Sequence, residues 1–343
     1  MLIVLPILAG AIACWLSLRF TRPDSLFHLP DVPTERSLHT SALPRSGGIA
    51  IVAGILSAMA VLALVDGDVG LPAGLIAGFL LVGFVGIIED WRGLPVSVRL
   101  AAHLVAGGLM VSSGLSLETL NIPGMEIEWP PWLATTFTLL YVSWNINLYN
   151  FMDGSDGLAG IMAVIGFGTF AVLGVRLETY EFAVASAVVA GSAAGFVMWN
   201  RPPARIFMGD TGSSIFGFLA AGFALWGSYL RTIPIWMSVL IFAPFIADAT
   251  ITLAIWTFAG SRVWKPHRQH FYQRVVMLGW TQKRLLVSEA ALMLVCSVLA
   301  IAALRAPIPF RWATLIFSAV LFCSLAVVVS RVEKATADRL TTE

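Results

Sequence analysis

Long apolar segments alternate with short polar segments along the whole chain. Eleven of the apolar segments are about 20 residues long, the length that a helix needs to cross the hydrocarbon core of a bilayer. They lie near residues 2–20, 48–65, 72–88, 100–117, 133–149, 159–175, 181–199, 213–229, 235–258, 285–304 and 311–330. The shorter segments leave a count of ten open. The pattern predicts an all-α polytopic membrane protein with about 10–11 transmembrane helices, in one integral-membrane domain over residues 1–343.

The composition supports this prediction. Hydrophobic residues make up 58% of the chain and charged residues only 12%, whereas soluble domains carry about 25% charged residues. The first segment has no basic region before it and no small-residue cleavage site, so we expect a retained helix rather than a signal peptide. The three cysteines fall in apolar segments without metal or disulfide spacing.

The basic residues give the orientation. If the N-terminus is outside, six polar segments lie inside: 21–47, 89–99, 150–158, 200–212, 259–284 and the tail from 331. Counting Arg19 with the first of these, 17 of the 21 Lys and Arg residues lie on that side. Inside loops of membrane proteins are rich in Lys and Arg. We therefore expect an outside N-terminus and cytoplasmic loops.

The first inside loop carries Arg36, His39 and Arg45 before a pair of glycines, Gly47 and Gly48, that opens the second helix. Free N–H groups and the dipole at a helix N-terminus favour phosphate, so this pattern indicates an anion site. Ordinary positive charge in an inside loop is the alternative interpretation.

Acidic residues collect in the next two inside loops. Glu89 and Asp90 adjoin at the end of the third helix, where they could hold a hard cation, accept a proton or form a solvated helix end. Asn150, Asp153 and Asp156 lie in NLYNFMDGSDGLAG, and the two aspartates are each followed by glycine. Such a tight loop directs oxygen ligands one way, which suits Mg²⁺ with phosphate oxygens and water.

The last loops add one acid and many bases. Asp210 precedes a helix start in RPPARIFMGDTGSSIFG. We expect it to be an oxygen ligand beside a phosphate-binding helix end; a simple helix cap is the alternative. Arg268, His270 and Arg274 belong to the most basic loop, which would attract pyrophosphate or anionic lipid. Asp248 lies within a membrane segment, where it would face a cavity or support the site. Acids and bases on one face indicate phosphoryl chemistry at the cytoplasmic membrane surface.

The chain resembles the polyprenyl-phosphate N-acetylhexosamine-1-phosphate transferases, the family 4 glycosyltransferases. The specific matches are NFMDGSDGLAG and IFMGDTGS, and KPHRQHFYQR is most similar to the O-antigen-initiating branch. The resemblance implies transfer of a sugar 1-phosphate from a UDP-sugar to undecaprenyl phosphate in the bacterial inner membrane, with Mg²⁺ or alternatively Mn²⁺. It implies lipid and nucleotide-sugar partners and no nucleic acid; a homodimer is left open.

The resemblance also implies roles for individual residues. The implied metal ligands are Asp210 and Asp153. The implied catalytic residues are Asp90, Asp153, Asp156 and Glu89. The implied substrate contacts are Arg36, His39, Arg45, Asn150, Arg268, His270 and Arg274. Two positions depart from the family pattern: Glu89 replaces an aspartate, and only His270 remains of a histidine-rich motif.

A transporter or lipid-linked-sugar flippase is the alternative function. Such proteins usually show internal repeats and ionisable groups at the membrane midplane, and the sequence has no clear repeat. A non-catalytic scaffold would not explain acids and bases on one face. The sequence leaves open which UDP-sugar is used, and it favours direct attack by the lipid phosphate, which is already a nucleophile.

Overall fold

The computed structural model describes residues 1–31, 42–67, 70–258 and 270–340, and most of these residues are helical. The helices are α1 (Val4–Phe20), α2 (Gly47–Asp66), α3 (Ala73–Arg92), α4 (Val96–Ser112), α5 (Pro131–Met152), α6 (Leu158–Arg176), α7 (Tyr180–Asn200), α8 (Gly209–Tyr229), α9 (Ile235–Ile241), α10 (Ala243–Phe258), α11 (Phe271–Met277), α12 (Gln282–Ala303) and α13 (Ile308–Leu340). Among the described residues, short antiparallel strands pair β1 (Pro30–Asp31) with β2 (Leu43–Pro44) and β3 (Thr119–Ile122) with β4 (Met125–Glu128). Every predicted apolar segment overlaps one or two helices, so the all-α polytopic prediction is confirmed.

Within the described residues, six helices are long and apolar enough to cross a membrane: α2, α3, α6, α7, α12 and most of α13. Helices α9 and α10 pass the same test together, but they bend by 84° where they meet. The predicted segment 235–258 is therefore two helices. Pro244 explains the bend, because it offers no N–H to the carbonyl of Leu240 and its ring clashes there.

The contacts divide the described chain into a first unit, Met1–Ser238, and a second unit, Val239–Glu343. In the first unit, α8 is the central helix and packs against α2, α3, α5, α6 and α7. Nearly all of its side chains are buried. Because protein rather than lipid surrounds α8, its surface is rich in glycine and serine, which let neighbouring helices approach closely.

Aromatic side chains fix the C-terminal half of α8. Phe223 packs edge-to-face on Phe167 of α6 at 5.6 Å and on Phe182 of α7 at 5.4 Å between ring centroids. Trp226 contacts Phe182 at 5.1 Å. Such ring pairs contribute about 0.5–1.5 kcal/mol each beyond the burial of area. The opposite end of α8, which begins at Gly209, therefore extends from a rigid core.

In the second unit, α12 and α13 expose large apolar side chains such as Val298 and Val320, as expected of helices that face lipid. Helix α13 has 33 residues and at 1.5 Å per residue is about 50 Å long, longer than the hydrocarbon core of about 30 Å. The predicted helix 311–330 therefore continues into the predicted tail. No Gly or Pro interrupts the stretch after Phe310, and its Ala, Glu, Lys and Arg residues favour helix.

Candidate active site

The loops at one end of the first unit come together. Asn150, near the end of α5, donates from Nδ2 to Oδ1 of Asp210 in α8 at 2.6 Å. Asp156, in the following loop, accepts at Oδ2 from the backbone N–H of Ala204 at 2.9 Å. Asp90, at the end of α3, also contacts the start of α8. The second, third and fourth predicted inside loops therefore share one end of the helical unit, as the sequence predicted.

Asp90 binds the first turn of α8 with both carboxylate oxygens. Its Oδ1 accepts from the backbone N–H of Asp210 at 2.8 Å. Its Oδ2 accepts from the backbone N–H of Thr211 at 2.9 Å and from the Thr211 hydroxyl at 2.6 Å. The prediction of a phosphate-binding start of α8 is therefore wrong, because a carboxylate of the protein already takes these N–H groups.

Asp210 projects from this turn with one carboxylate oxygen engaged by protein. Besides accepting the hydrogen bond from Asn150, Oδ1 of Asp210 lies 3.6 Å from Nη1 of Arg99. The Asn150 amide also donates to the Ser213 hydroxyl at 3.1 Å, which fixes the amide between α5 and α8. Among the described residues nothing donates to Oδ2 of Asp210, and the side chain is 28% exposed. Asp210 can therefore bind a further cation.

Asp153 follows the last residue of α5 and is half-buried. Its carboxylate accepts no hydrogen bond from any residue that the structure describes. Burial, and after it the nearby carboxylates of Asp210 and Asp90, raise the pKa of Asp153 well above its usual range. A divalent cation between Asp153 and Asp210 would remove this repulsion.

The donor set suits magnesium. Across residues 1–31, 42–67, 70–258 and 270–340, no group of three or more His, Cys, Asp and Glu side chains is arranged to hold a metal ion. Asp153 and Asp210 together offer two carboxylates. Mg²⁺ is commonly held by one or two carboxylates, with substrate phosphates and water completing the shell. The residues present therefore fit a Mg²⁺ ion shared with a phosphate substrate.

Asp156 and Asn200 join the two loops that flank this acid pair. In addition to the hydrogen bond that Asp156 accepts from Ala204, the buried side chain of Asn200 bridges the two loops. Its Oδ1 accepts from the N–H of Gly157 at 3.0 Å, and its Nδ2 donates to the carbonyl of Ile206 at 2.8 Å. Sequence reasoning missed Asn200, which ends α7 without any local motif. The predicted catalytic residue Asp156 lies in this bridge.

Arg99 is the second residue that sequence reasoning missed. It lies in the first turn of α4, with Nη1 3.3 Å from Oε1 of Glu89 and 3.6 Å from Oδ1 of Asp210. The Arg99 side chain is 31% exposed. Oε2 of Glu89 is buried without a hydrogen-bond partner. The available signal was weak: Arg99 is one of two arginines, with Arg92, in the same predicted loop as Glu89.

The glycine pair at the start of α2 does not form the predicted anion site. The N–H of Gly47 donates to the carbonyl of Phe207 at 2.9 Å, and the N–H of Gly48 donates to that of Met208 at 2.8 Å. Free N–H groups are what an anion site at a helix start needs. The prediction of a phosphate cradle at these two residues is therefore wrong, because both N–H groups join α2 to the segment before α8.

Arg45 lies beside the acids but contacts backbone. Its Nη2 donates to the backbone carbonyl of Asp90 at 2.7 Å, and its Nη1 lies 4.0 Å from Oδ1 of Asp31. About a third of the side chain is exposed, and Nε is buried without a partner. The predicted phosphate contacts Arg36 and His39 lie outside the described residues.

Known proteins match the stretch of the chain that contains these acids. The model of a family described as Glycosyl transferase family 4 matches residues 72–228, the stretch from α3 to α8 that contains the acids. The decaprenyl-phosphate N-acetylglucosaminephosphotransferase of Mycobacterium tuberculosis is 30% identical over 292 residues, covering 74% of this chain and 70% of that protein. The chain belongs to the polyprenyl-phosphate N-acetylhexosamine-1-phosphate transferase family.

Two further relatives match this polyprenyl-phosphate transferase chain over a similar length. A probable undecaprenyl-phosphate N-acetylglucosaminyl 1-phosphate transferase of Bacillus subtilis is 28% identical over 256 residues, covering 74% of this chain and 71% of that protein. A phospho-N-acetylmuramoyl-pentapeptide-transferase of Bacillus licheniformis is 28% identical over 279 residues, covering 76% and 83%. The family assignment therefore does not depend on one relative.

The second unit of this transferase-family chain contains a buried aspartate that holds His270. Oδ1 of Asp248 lies 3.1 Å from Nδ1 of His270, and it accepts a hydrogen bond from the N–H of Phe271 at 3.0 Å. Its Oδ2 accepts from the N–H of Tyr272 at 3.0 Å. Asp248, whose role the sequence left open, thus caps α11 and orients the predicted substrate contact His270.

The guanidinium of Arg274 binds side chains of α13 and does not face solvent. Its Nε and Nη2 donate to Oε2 of Glu333 at 3.1 and 2.6 Å, and its Nη2 donates to the Ser330 hydroxyl at 3.0 Å. The side chain is only 13% exposed. These bonds join α11 to α13 and argue against the predicted substrate contact by Arg274. The predicted contact Arg268 lies outside the described residues.

Proposed function

We propose that the protein transfers a sugar 1-phosphate from a UDP-N-acetylhexosamine to a polyprenyl phosphate such as undecaprenyl phosphate. The products are UMP and a polyprenyl-diphosphate sugar. The observation that carries the proposal is the pair of unsaturated carboxylates, Asp153 and Asp210, beside Arg99 at one end of the membrane helices. The names of the relatives supply the substrate classes: a polyprenyl phosphate acceptor and an N-acetylated amino-sugar donor.

Asp153 and Asp210 would hold a Mg²⁺ ion, for which Mn²⁺ is an alternative. When bound, such an ion neutralises phosphate oxygens, so that one phosphate can approach another. Asn150 keeps the Asp210 carboxylate in one orientation through a bond of 2.6 Å. Arg99, partly exposed between Glu89 and Asp210, places a positive charge where a substrate phosphate would arrive.

The reaction exchanges one phosphoanhydride for another. An oxygen of the lipid phosphate forms a bond to the β-phosphorus of the UDP-sugar. The bond between that phosphorus and the bridging oxygen breaks, and UMP leaves with the bridging oxygen. Little bond energy changes, so rate depends on positioning and electrostatic stabilisation. The lipid phosphate is anionic and needs no covalent protein intermediate, so we favour a direct displacement.

The reaction would take place at the cytoplasmic face of a bacterial inner membrane. This placement rests on the 17 of 21 Lys and Arg residues in the predicted inside segments. The resemblance of KPHRQHFYQR to the O-antigen-initiating branch supports an initiating step of cell-envelope polysaccharide synthesis, with O-antigen as the proposed polymer.

The test is UMP release by purified protein in nanodiscs that contain undecaprenyl phosphate, with a panel of UDP-N-acetylhexosamines and Mg²⁺. We expect one donor to give equal amounts of UMP and lipid product, and chelation to stop both. Asp153→Asn and Asp210→Asn should each lower turnover at least about 100-fold, because each removes a first ligand of the ion. Asp66→Asn, at the exposed end of α2, is the matched control and should retain activity. Normal turnover in either site variant, or sugar movement without UMP, would contradict the proposal.

A further inference from the structure

Asp90 lies at the acidic end of the first unit, yet its carboxylate faces protein. The side chain is 2% exposed. Three donors surround it, and all three belong to two consecutive residues of α8, Asp210 and Thr211. A carboxylate whose two oxygens are both used by buried donors is poorly placed to accept a proton from a substrate or to bind its phosphate.

The start of α8 depends on this carboxylate. The residue before the helix, Met208, provides no side-chain cap, so the first N–H groups need an acceptor from elsewhere. Gly209 adopts a left-handed conformation with φ +66°, which glycine tolerates best. A Cβ at this position would lie 2.6 and 2.7 Å from the two oxygens of Asp90. Glycine therefore lets Asp90 reach the helix end and cap α8 from α3.

Asp90 is itself held in place. Its backbone carbonyl accepts from Nη2 of Arg45 at 2.7 Å. One turn earlier in α3, Gly86 packs so closely that an added Cβ would lie 2.6 Å from Cα of Thr211. The end of α3 and the first turn of α8 therefore form a single fixed contact.

The contact determines where Asp210 points. The N–H that Asp90 binds belongs to Asp210, whose carboxylate receives Asn150 and adjoins Arg99. We infer that Asp90 is a positioning residue: it fixes the first turn of α8 and thereby the Asp210 carboxylate, and it does not contact the substrate phosphates. This inference rests on the proposed function, because it assigns Asp90 a role in the metal site that Asp210 forms. It replaces the catalytic role that the resemblance implied for Asp90.

Thr211 provides a test that leaves Asp90 chemically intact. Thr211→Val removes the hydroxyl that donates to Asp90 at 2.6 Å and keeps the volume of a side chain that is fully buried. Thr211→Ser keeps the hydroxyl and is the matched control. We expect Thr211→Val to raise the Mg²⁺ concentration for half-maximal UMP release by about tenfold, the effect of one lost hydrogen bond to a charged group, while Thr211→Ser stays near wild type.

Three readouts distinguish positioning from direct chemistry. Hydrogen exchange of a peptide covering 209–214 should accelerate in Thr211→Val and in Asp90→Asn. Mn²⁺ affinity, measured by electron paramagnetic resonance without turnover, should fall in both. The KM for UDP-sugar at saturating Mg²⁺ should stay near wild type in Thr211→Val, because Asp90 does not contact the substrate phosphates. If the Thr211→Val protein does not fold, the exchange and Mn²⁺ measurements on Asp90→Asn test the inference instead.

A Thr211→Val protein with wild-type Mg²⁺ dependence, beside an inactive Asp90→Asn protein, would overturn the inference and place Asp90 on the substrate. Faster exchange at the start of α8 with unchanged Mn²⁺ affinity would also overturn it. If wild-type protein released no UMP, the proposed function would fail, yet the exchange and Mn²⁺ measurements would still decide whether Asp90 positions Asp210.

Discussion

Asn200 offers the sharpest prediction about the loops that hold the site. Asn200→Ala removes the acceptor of the Gly157 N–H and the donor to the Ile206 carbonyl, and both bonds are buried. A buried backbone group without a partner costs about 1–3 kcal/mol, so the variant should lose about 2–6 kcal/mol of local stability. The two loops should then separate transiently, together with the bond between Asp156 and Ala204.

Hydrogen exchange at the Ala204 amide measures this effect, because the substitution leaves the acceptor of that amide, Asp156, in place. A change of 1.4 kcal/mol is a factor of ten, so we expect exchange at Ala204 to accelerate at least about 30-fold. UMP release should fall in parallel. Asn121→Ala, which removes one exposed bond to Glu126 in the β3–β4 hairpin, is the control. Unchanged exchange at Ala204 in Asn200→Ala would refute the bridging role.

Three further predictions concern charged groups. Asp248→Asn should weaken the cap of α11 by about 1–2 kcal/mol, so hydrogen exchange at the Phe271 and Tyr272 amides, which donate to Asp248, should accelerate about 5- to 30-fold; unchanged exchange there would contradict this. Arg274→Ala and Glu333→Ala should each cost about 0.5–1 kcal/mol in thermal unfolding, with no further loss when combined; additive losses would exclude their coupling. Arg99→Gln should lower kcat/KM at least about tenfold, and a normal value would remove Arg99 from the site.

The sequence predicted the membrane helices because length and apolarity are what a bilayer selects. The same criterion could not show that α9 and α10 are separate, since the break depends on Pro244 inside an apolar run. Nor could it end α13 correctly, because good helix formers carry that helix past the predicted boundary at residue 330. Hydropathy predicts that a helix is present, but it does not predict where the helix bends or ends.

The candidate site was predictable in composition but not in connections. The carboxyl and amide groups of Asn150, Asp153 and Asp210 belong to two recognisable sequence motifs, NFMDGSDGLAG and IFMGDTGS. The pairing of Asp90 with α8 joins residues 120 positions apart, and sequence spacing holds no information about such a bond. The glycine pair at the start of α2 was misinterpreted for the same reason: the residues that accept its N–H groups, at 207–208, lie far along the chain.

In the proposed mechanism, Asp153 and Asp210 jointly hold one divalent cation where the substrate phosphates meet. Its most direct test is electron–nuclear double resonance of the purified protein loaded with Mn²⁺ and a UDP-sugar. We predict one bound Mn²⁺ per chain with coupling to phosphorus of the nucleotide, lost in the Asp153→Asn/Asp210→Asn double variant. Equal Mn²⁺ binding with the same phosphorus coupling in the double variant would contradict the account.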